Sequence, residues 1–562
     1  MKVKYLELNI EKETESDILF LKNNDVWLIL SQEKRSRYFG GFILKDGQAF
    51  RFLDNIEFGE KIKNIIILNP NEIIIEFWHN HCYLKLEEKS IHLIFSYWTN
   101  VKLNLDSKYI FNNNAFARNI IVETPKVNHI FVKQYFNDQL INQLLIETDS
   151  NVQIKKQWVK QDMNFDKKRN SYPYEWWTYE CFEGKIRELK INLLPNDSQD
   201  FNPNEKTDHQ NSIFILNHNP SHQNQSPLNN FLVKRIMLFE TNQYFAAGFP
   251  WFYEHWYRDE LLSLYLLKEN IDKNIYKQKL NFYLNNLETI WDKNKPVNSQ
   301  YQQWQWDGAD TLLLFIATAE QKLLENNAER IIACFKLWQK KFMKNNVIHL
   351  PSYSTWMDTL NRQEAIEIES LYVNALNKLI SLKNIDELVK IRLKAELEVR
   401  ENELKKKIIN RDNDPNIIFA FLFTKYILPQ ETWTQVFDKL LKNNYLLWGG
   451  LATLNTDNPH FQNEDDGEKN SAYHRGNSWY FLNNLLAISL CEINIIKYKE
   501  IIEKIYLSSL DDLLKDGALG FSSEISSAKE RRSEGTIAQL WSMASFNSFS
   551  LKFEYPFQNE KQ

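Results

Sequence analysis

The spacing of apolar residues changes once along this chain. Up to about residue 195 they come in short runs, most of them rich in β-branched or aromatic residues: Val26–Leu30, 64–68, 72–78, 92–98 and 187–194. Turn signals such as Asp46-Gly47, Asn69-Pro70-Asn71 and Glu183-Gly184 cut the runs apart. Short apolar runs between polar turns predict β-strands, and many in succession predict an antiparallel β-sandwich. Over 196–230 the pattern is lost. Asn, Gln, Ser, Asp and Pro dominate there, apart from the apolar run 213–216, so a polar linker is expected. From about residue 258 apolar positions recur every three or four residues. Ile368, Leu371, Tyr372, Ala375, Leu376 and Leu379 share one helical face, and Leu312, Phe315, Ile316 and Ala319 repeat the pattern. Helices are expected near 273–292, 328–344, 385–409, 415–427, 430–443, 478–492, 497–515 and 536–553. The charged helix 385–409 reads as a solvated outer face. The expected fold class is α+β with more than one domain: a sandwich over 1–195, a linker over 196–230, and an all-α domain over 231–562.

Composition narrows the function more than the fold. A length of 562 residues is too great for one ordinary core. The formal net charge of −5 offers no long-range attraction to nucleic acid or anionic membrane, and suits a neutral substrate. Cys82, Cys181, Cys334 and Cys491 stand apart, with no CxxC pair, so neither a zinc ribbon nor a disulfide framework is indicated. The charged start of the chain lacks a signal-peptide apolar core and no run reaches membrane-spanning length, so a cytoplasmic location is expected.

The candidate chemistry lies in loops ahead of the predicted helices. Ser354-Thr355-Trp356-Met357-Asp358 and Gly520-Phe521-Ser522-Ser523-Glu524 each place one carboxylate there. Other loops carry aromatic, charged and amide residues: Gly248-Phe249-Pro250-Trp251-Phe252 with Trp256-Tyr257-Arg258-Asp259; Trp304-Gln305-Trp306-Asp307-Gly308-Ala309-Asp310; Glu367; Tyr473-His474-Arg475-Gly476-Asn477-Ser478-Trp479; and Gln539-Leu540-Trp541-Ser542. Aromatic faces cover the apolar face of a pyranose, while Asp, Glu, Arg and Gln hold its hydroxyls. Two carboxylates amid such residues are the equipment of glycosidic bond cleavage.

In their order these segments resemble the glucosidase part of glycogen debranching enzymes, the amylo-α-1,6-glucosidase family. The resemblance rests on Gly248-Phe249-Pro250-Trp251-Phe252 with Arg258-Asp259, on Thr355-Trp356-Met357-Asp358, on Ile366-Glu367-Ile368-Glu369-Ser370-Leu371-Tyr372-Val373-Asn374-Ala375-Leu376, on Tyr473-His474-Arg475-Gly476-Asn477-Ser478-Trp479, and on Glu524 followed by Ala538-Gln539-Leu540-Trp541-Ser542. It spans roughly 300 residues and implies an (α/α)6 barrel whose inner-helix loops build the pocket, behind an amino-terminal β domain. It implies Asp358 as general acid, kept protonated beside Trp356 and Met357, and Glu524 as general base in an inverting reaction. Arg258, Asp259 and Glu367 match sugar-holding positions. Trp251, Trp306, Asp310, Trp356, His474, Arg475, Trp479, Gln539 and Trp541 complete the expected substrate-binding set. The expected substrate is an α-1,6 branch stub of a glycogen-like α-glucan, with no metal or organic cofactor, no nucleic-acid partner and no membrane. The α-1,4-transferase half of large debranching enzymes has no counterpart here, so another protein is expected to shorten the branch first.

The chain departs from the family at Tyr257, where a glycine is usual, at the added Tyr253-Glu254-His255, at Asn361-Arg362-Gln363-Glu364-Ala365, and at Ser478-Trp479-Tyr480. Bland readings stand beside the functional ones. Asp358 also reads as a helix cap, Glu367 as a first-turn acid favoured by the helix dipole, and Arg258-Asp259 as a structural ion pair. Glu530, Glu534 and Asp516 lie near Glu524. Asp307 competes with Asp310, which fits the family's helix start better. His474 reads as a structural hydrogen-bonding residue more than an acid or base, and Trp251, Trp306, Trp479 and Trp541 as core or sugar platform. A glucoamylase-like or trehalase-like hydrolase and a degenerate carbohydrate-binding protein are the alternatives.

Overall fold

A computed structural model describes residues 1–195, 226–241, 243–296, 305–411 and 414–553. Most of the predicted linker, with its apolar run 213–216, lies outside the described residues, as does Trp304. The linker's last residues are described, and they are helical: Pro227 opens the helix Pro227–Ile236 and the Ser226 side chain caps it. The described residues divide into two compact units. One runs to Leu238 and takes in Leu514–Leu519; the other holds the rest.

The first unit is built on a sheet of 15 strands, an amino-terminal sheet-rich domain as the short apolar runs predict. Ser90–Tyr109 and Glu175–Leu194 pair antiparallel along their length and form its spine. Glu72–Glu76 shows why the sequence folds this way. Ile73 and Ile75 are buried and their neighbours half-buried, and they face Leu84 and Cys82 across the ladder; alternation puts one face of each strand into the core. Lys2–Tyr5 lies parallel to Asn64–Asn69, whereas the other strand pairs of this sheet run antiparallel.

The second unit is helical, and its longer helices are numbered here along the chain. They are α1 (Tyr257–Leu267), α2 (Lys273–Asn285), α3 (Thr311–Thr318), α4 (Ala328–Phe342), α5 (Ile366–Ile380), α6 (Glu387–Asn410), α7 (Ile417–Thr424), α8 (Gln430–Asn444), α9 (Tyr480–Asn494), α10 (Lys499–Asp511) and α11 (Leu540–Lys552). The odd-numbered helices pack in sequence, α1 on α3, α3 on α5, and so on to α11, which packs back on α1. These six are the apolar ones. All eight residues of α3 are buried, whereas α6 buries only Leu393, Arg400, Leu404 and Ile408, as its charge pattern predicts. Among the described residues no helix is long and apolar enough to cross a membrane.

The loops are not wholly irregular, as an all-α reading expects. Gly248–Phe249 pairs with Ala538–Gln539, and Ser478–Trp479 with Ile525–Ser526. These ladders explain why α11 begins at Leu540, later than the periodicity predicts, and why Glu524 leads into a short strand instead of a helix. Gly248 is required by close approach, since a Cβ there would stand 2.2 Å from Gln539 Oε1.

Candidate active site

Contacts between the amino-terminal ends of the odd-numbered helices assemble the site. Arg258, in the first turn of α1, is buried, and its Nε donates to Asp310 Oδ2 at the start of α3. Its Nη1 lies 3.5 Å from Asp358 Oδ2. Arg258 Nη2 and Asp310 Oδ1 are buried with no hydrogen-bond partner among the described residues, so a donor and an acceptor stand ready for a ligand. Asp259 accepts from Gln539 Nε2 at 3.2 Å, which joins the start of α11 to α1. Trp356 donates from Nε1 to Asn416 Oδ1 at 2.6 Å, ahead of α7. It meets Trp479, ahead of α9, edge to face at 5.4 Å, and Trp479 meets Trp541 of α11 at 5.8 Å.

Two carboxyl groups, Asp358 and Glu524, sit in different surroundings. Asp358 keeps 21% of its side chain exposed. Withdrawal from water pushes its carboxyl up to about 6, against the pull of the Arg258 guanidinium. Glu524 is buried, and both its oxygens accept hydrogen bonds: Tyr473 OH donates to Oε1, and the Thr536 backbone N–H to Oε2 at 2.9 Å. Asp259 feels both. Burial, with the charges of Asp358 and Glu524, raises its carboxyl to about 8 although Arg258 opposes the shift. The same charges, after burial itself, push the Tyr473 phenol well above its usual range, so Tyr473 remains a hydrogen-bond donor.

His474 is buried and held neutral, because burial and the Arg362, Arg258 and Arg475 charges all disfavour its cation. Its Nδ1 lies 2.8 Å from Thr359 Oγ1, its ring stacks on Trp479 at 5.1 Å, and its Nε2 has no partner among the described residues. Glu367 in the first turn of α5 is gripped by Arg362, which also donates to Thr355 Oγ1 at 2.6 Å.

The competing assignments separate. Asp310 takes Arg258, while Asp307 pairs with Lys341 at 2.6 Å. Glu530 pairs with Arg532 at the surface, whereas Glu524 is the acid beside Tyr473. Trp306 packs on Tyr353 at 5.8 Å, and its Nε1 is buried without a partner among the described residues. Trp541 stacks on Phe481 at 4.3 Å. Trp251 is buried on the loop leading to Arg258. The half-buried Arg475 side chain makes no hydrogen bond or ion pair among the described residues.

Sequence reasoning missed Tyr473 and Gly535. Tyr473 lies inside a quoted motif, but nothing local marks it as the partner of a residue 51 positions away. Gly535 is in the left-handed region at φ +67°, and a Cβ would stand 2.5 Å from Glu524 Oε2. Gly535→Ala is expected to cost about 1–3 kcal/mol in stability through the backbone alone and to displace Glu524, so thermal unfolding and hydrolysis rate should both fall.

Residues 338–547 match the model of the family described as amylo-alpha-1,6-glucosidase. The match takes in Asp358, Glu367, Tyr473, His474, Glu524 and Gln539. No curated protein matches the chain. Among solved structures, a GH63 mannosylglycerate hydrolase from Thermus thermophilus, in complex with Tris and D-glycerate, is similar at 10% identity and TM-score 0.41, over 57% of this chain and 99% of that one. An uncharacterized conserved protein from the same organism is similar at 10% identity and TM-score 0.42, over 58% and 100%. The chain is a glycoside hydrolase, and its resemblance to the amylo-α-1,6-glucosidase family holds over the matched residues.

Proposed function

We propose that this glycoside hydrolase releases glucose from α-1,6 branch stubs of glycogen-like α-glucans, with inversion, inside an (α/α)6 barrel. The observation that carries the reading is the division of labour between Asp358, proton-bearing and partly open, and Glu524, buried and held by two donors. The closed succession of odd-numbered helices, with even-numbered ones between them in sequence, supports the barrel.

In this mechanism Asp358 gives its proton to the glycosidic oxygen as the C1–O bond breaks. Glu524 takes a proton from a water on the opposite face, and that water's oxygen bonds to C1. The two carboxyls of an inverting pair stand about 6.5–9.5 Å apart to admit the water. Arg258 keeps Asp358 from rising so far that it would no longer yield its proton. Asp259, kept protonated at neutral pH, can donate to a sugar hydroxyl without adding negative charge to the site, and neutral His474 offers Nε2. Trp356, Trp479 and Trp541 wall the site.

Linkage is tested by glucose release from isomaltose and panose beside maltose and trehalose. Preference for the α-1,6 substrates supports the proposal, whereas preference for trehalose or maltose replaces it with the trehalase-like or glucoamylase-like alternative. Tyr473 is a positioning residue. Tyr473→Phe removes one charge-assisted hydrogen bond, for which about 1.5–3 kcal/mol is typical, so kcat should drop on the order of tenfold or more while KM stays near wild type. A change confined to KM would contradict that role.

A further inference from the structure

The first unit displays aromatic rings where a folded chain would ordinarily bury them. Trp78, Tyr97 and Trp98 are exposed to 67%, 68% and 54%. The strand Ser90–Tyr109 advances five residues, from Ile94 to Thr99, where its partner advances two, from Glu188 to Ile186. Extra residues on one side of a ladder break the in–out alternation, and here the consecutive side chains of Tyr97 and Trp98 both face out. The turn between Glu72–Glu76 and His81–Leu86 carries Trp78, and Asn80 in that turn grips the bulge. Asn80 is buried; its Oδ1 accepts from Tyr97 N at 3.0 Å and from Ser96 Oγ, and its amide donates to Tyr97 O at 3.2 Å and to Thr99 Oγ1. Lys63 Nζ sits 4.9 Å from the centre of the Trp78 ring. Leaving three large rings in water forgoes burial that would stabilise the fold, and the Asn80 network holds the turn and the bulge in this exposing arrangement.

We propose that Trp78, Tyr97 and Trp98 form a binding surface on the first unit for a neutral polysaccharide, built from residues that take no part in hydrolysis. Aromatic rings stack on the C–H face of a pyranose, and the exposed His79 and Asn100, next to Trp78 and Trp98 in the chain, offer partners for its hydroxyls. An exposed aromatic patch of this kind marks an interaction surface. That the polymer is an α-glucan rests on the function proposed above; the stacking chemistry does not.

The experiment uses the full chain carrying Asp358→Asn, so that polymer is not consumed, run by affinity electrophoresis through gels containing glycogen. Glycogen should retard this protein, and adding Trp78→Ala and Trp98→Ala should weaken retardation at least tenfold in apparent Kd, with Trp98→Tyr restoring part of it. Circular dichroism checks that the exposed substitutions leave the fold intact. In the otherwise wild-type enzyme the same pair should leave isomaltose hydrolysis unchanged and raise KM for glycogen. Equal retardation with and without the rings overturns the proposal. So does loss of a dimer in light scattering with glycogen binding untouched, which would make the patch a contact between copies. Ring-dependent glycogen binding by a chain that cleaves no α-glucan would uphold this surface while removing the proposed reaction.

Discussion

Asp358→Asn should lower hydrolysis of a branched dextrin by about 10²–10⁴-fold, the usual contribution of a general acid. Asparagine keeps the shape and still faces Arg258, but it has no acidic proton to give. The loss should shrink sharply on α-glucosyl fluoride, whose leaving group needs little protonation. The wild-type pH profile should carry the same signature. A carboxyl pushed up to about 6 is protonated below that pH and ionises above it, so the rate of bond cleavage should fall as pH rises through about 6. This limb should be missing in Asp358→Asn. A variant that keeps both the rate and the limb would move the acid elsewhere.

Arg258→Met should have the next largest effect, because it removes the charge that two acids share. Arg258 is buried between Asp310 and Asp358, and removing one member of a buried ion pair commonly costs about 3–5 kcal/mol. Urea unfolding would measure this as a lower midpoint. The direction of a second effect discriminates further. Arg258 lowers the Asp358 carboxyl, so its loss should raise that group and carry the descending limb above pH 6 in whatever activity remains. Arg258→Lys keeps the charge and should preserve the limb, yet it loses the fork that reaches two acids at once. An unshifted limb in Arg258→Met would mean that the guanidinium does not set the acid's proton affinity.

The sequence made the change of architecture legible because it is a change of period. The α5 face from Ile368 to Leu379 and the apolar run at Glu72–Glu76 are local properties, and both elements appear where they are expected. The paired ladders at Gly248–Phe249 and Ser478–Trp479 were not legible, since two residues carry no period and their partners lie 46 or more positions away. Asp358, Glu524, Arg258 and Asp310 could be named from motifs. Their pairing could not: the preference of Arg258 for Asp310 over Asp307 depends on how the first turns of α1 and α3 face each other, and Lys341 of α4, which takes Asp307, lies in another element altogether. Tyr97 and Trp98 in the predicted strand 92–98 read as strand residues, and only the register shift after Ile94 turns both outward.

The central claim is that a proton donor at 358 and a water-activating base at 524 act on opposite faces of one sugar. Proton NMR of the first glucose released from a branched dextrin, where the leaving group is the polymer and the stub is the one glucose set free, tests it most directly. β-Glucose should appear first, with α-glucose growing in only by mutarotation, and Glu524→Gln should abolish that early β signal. α-Glucose as the first product, or an early β signal that survives Glu524→Gln, would contradict the account.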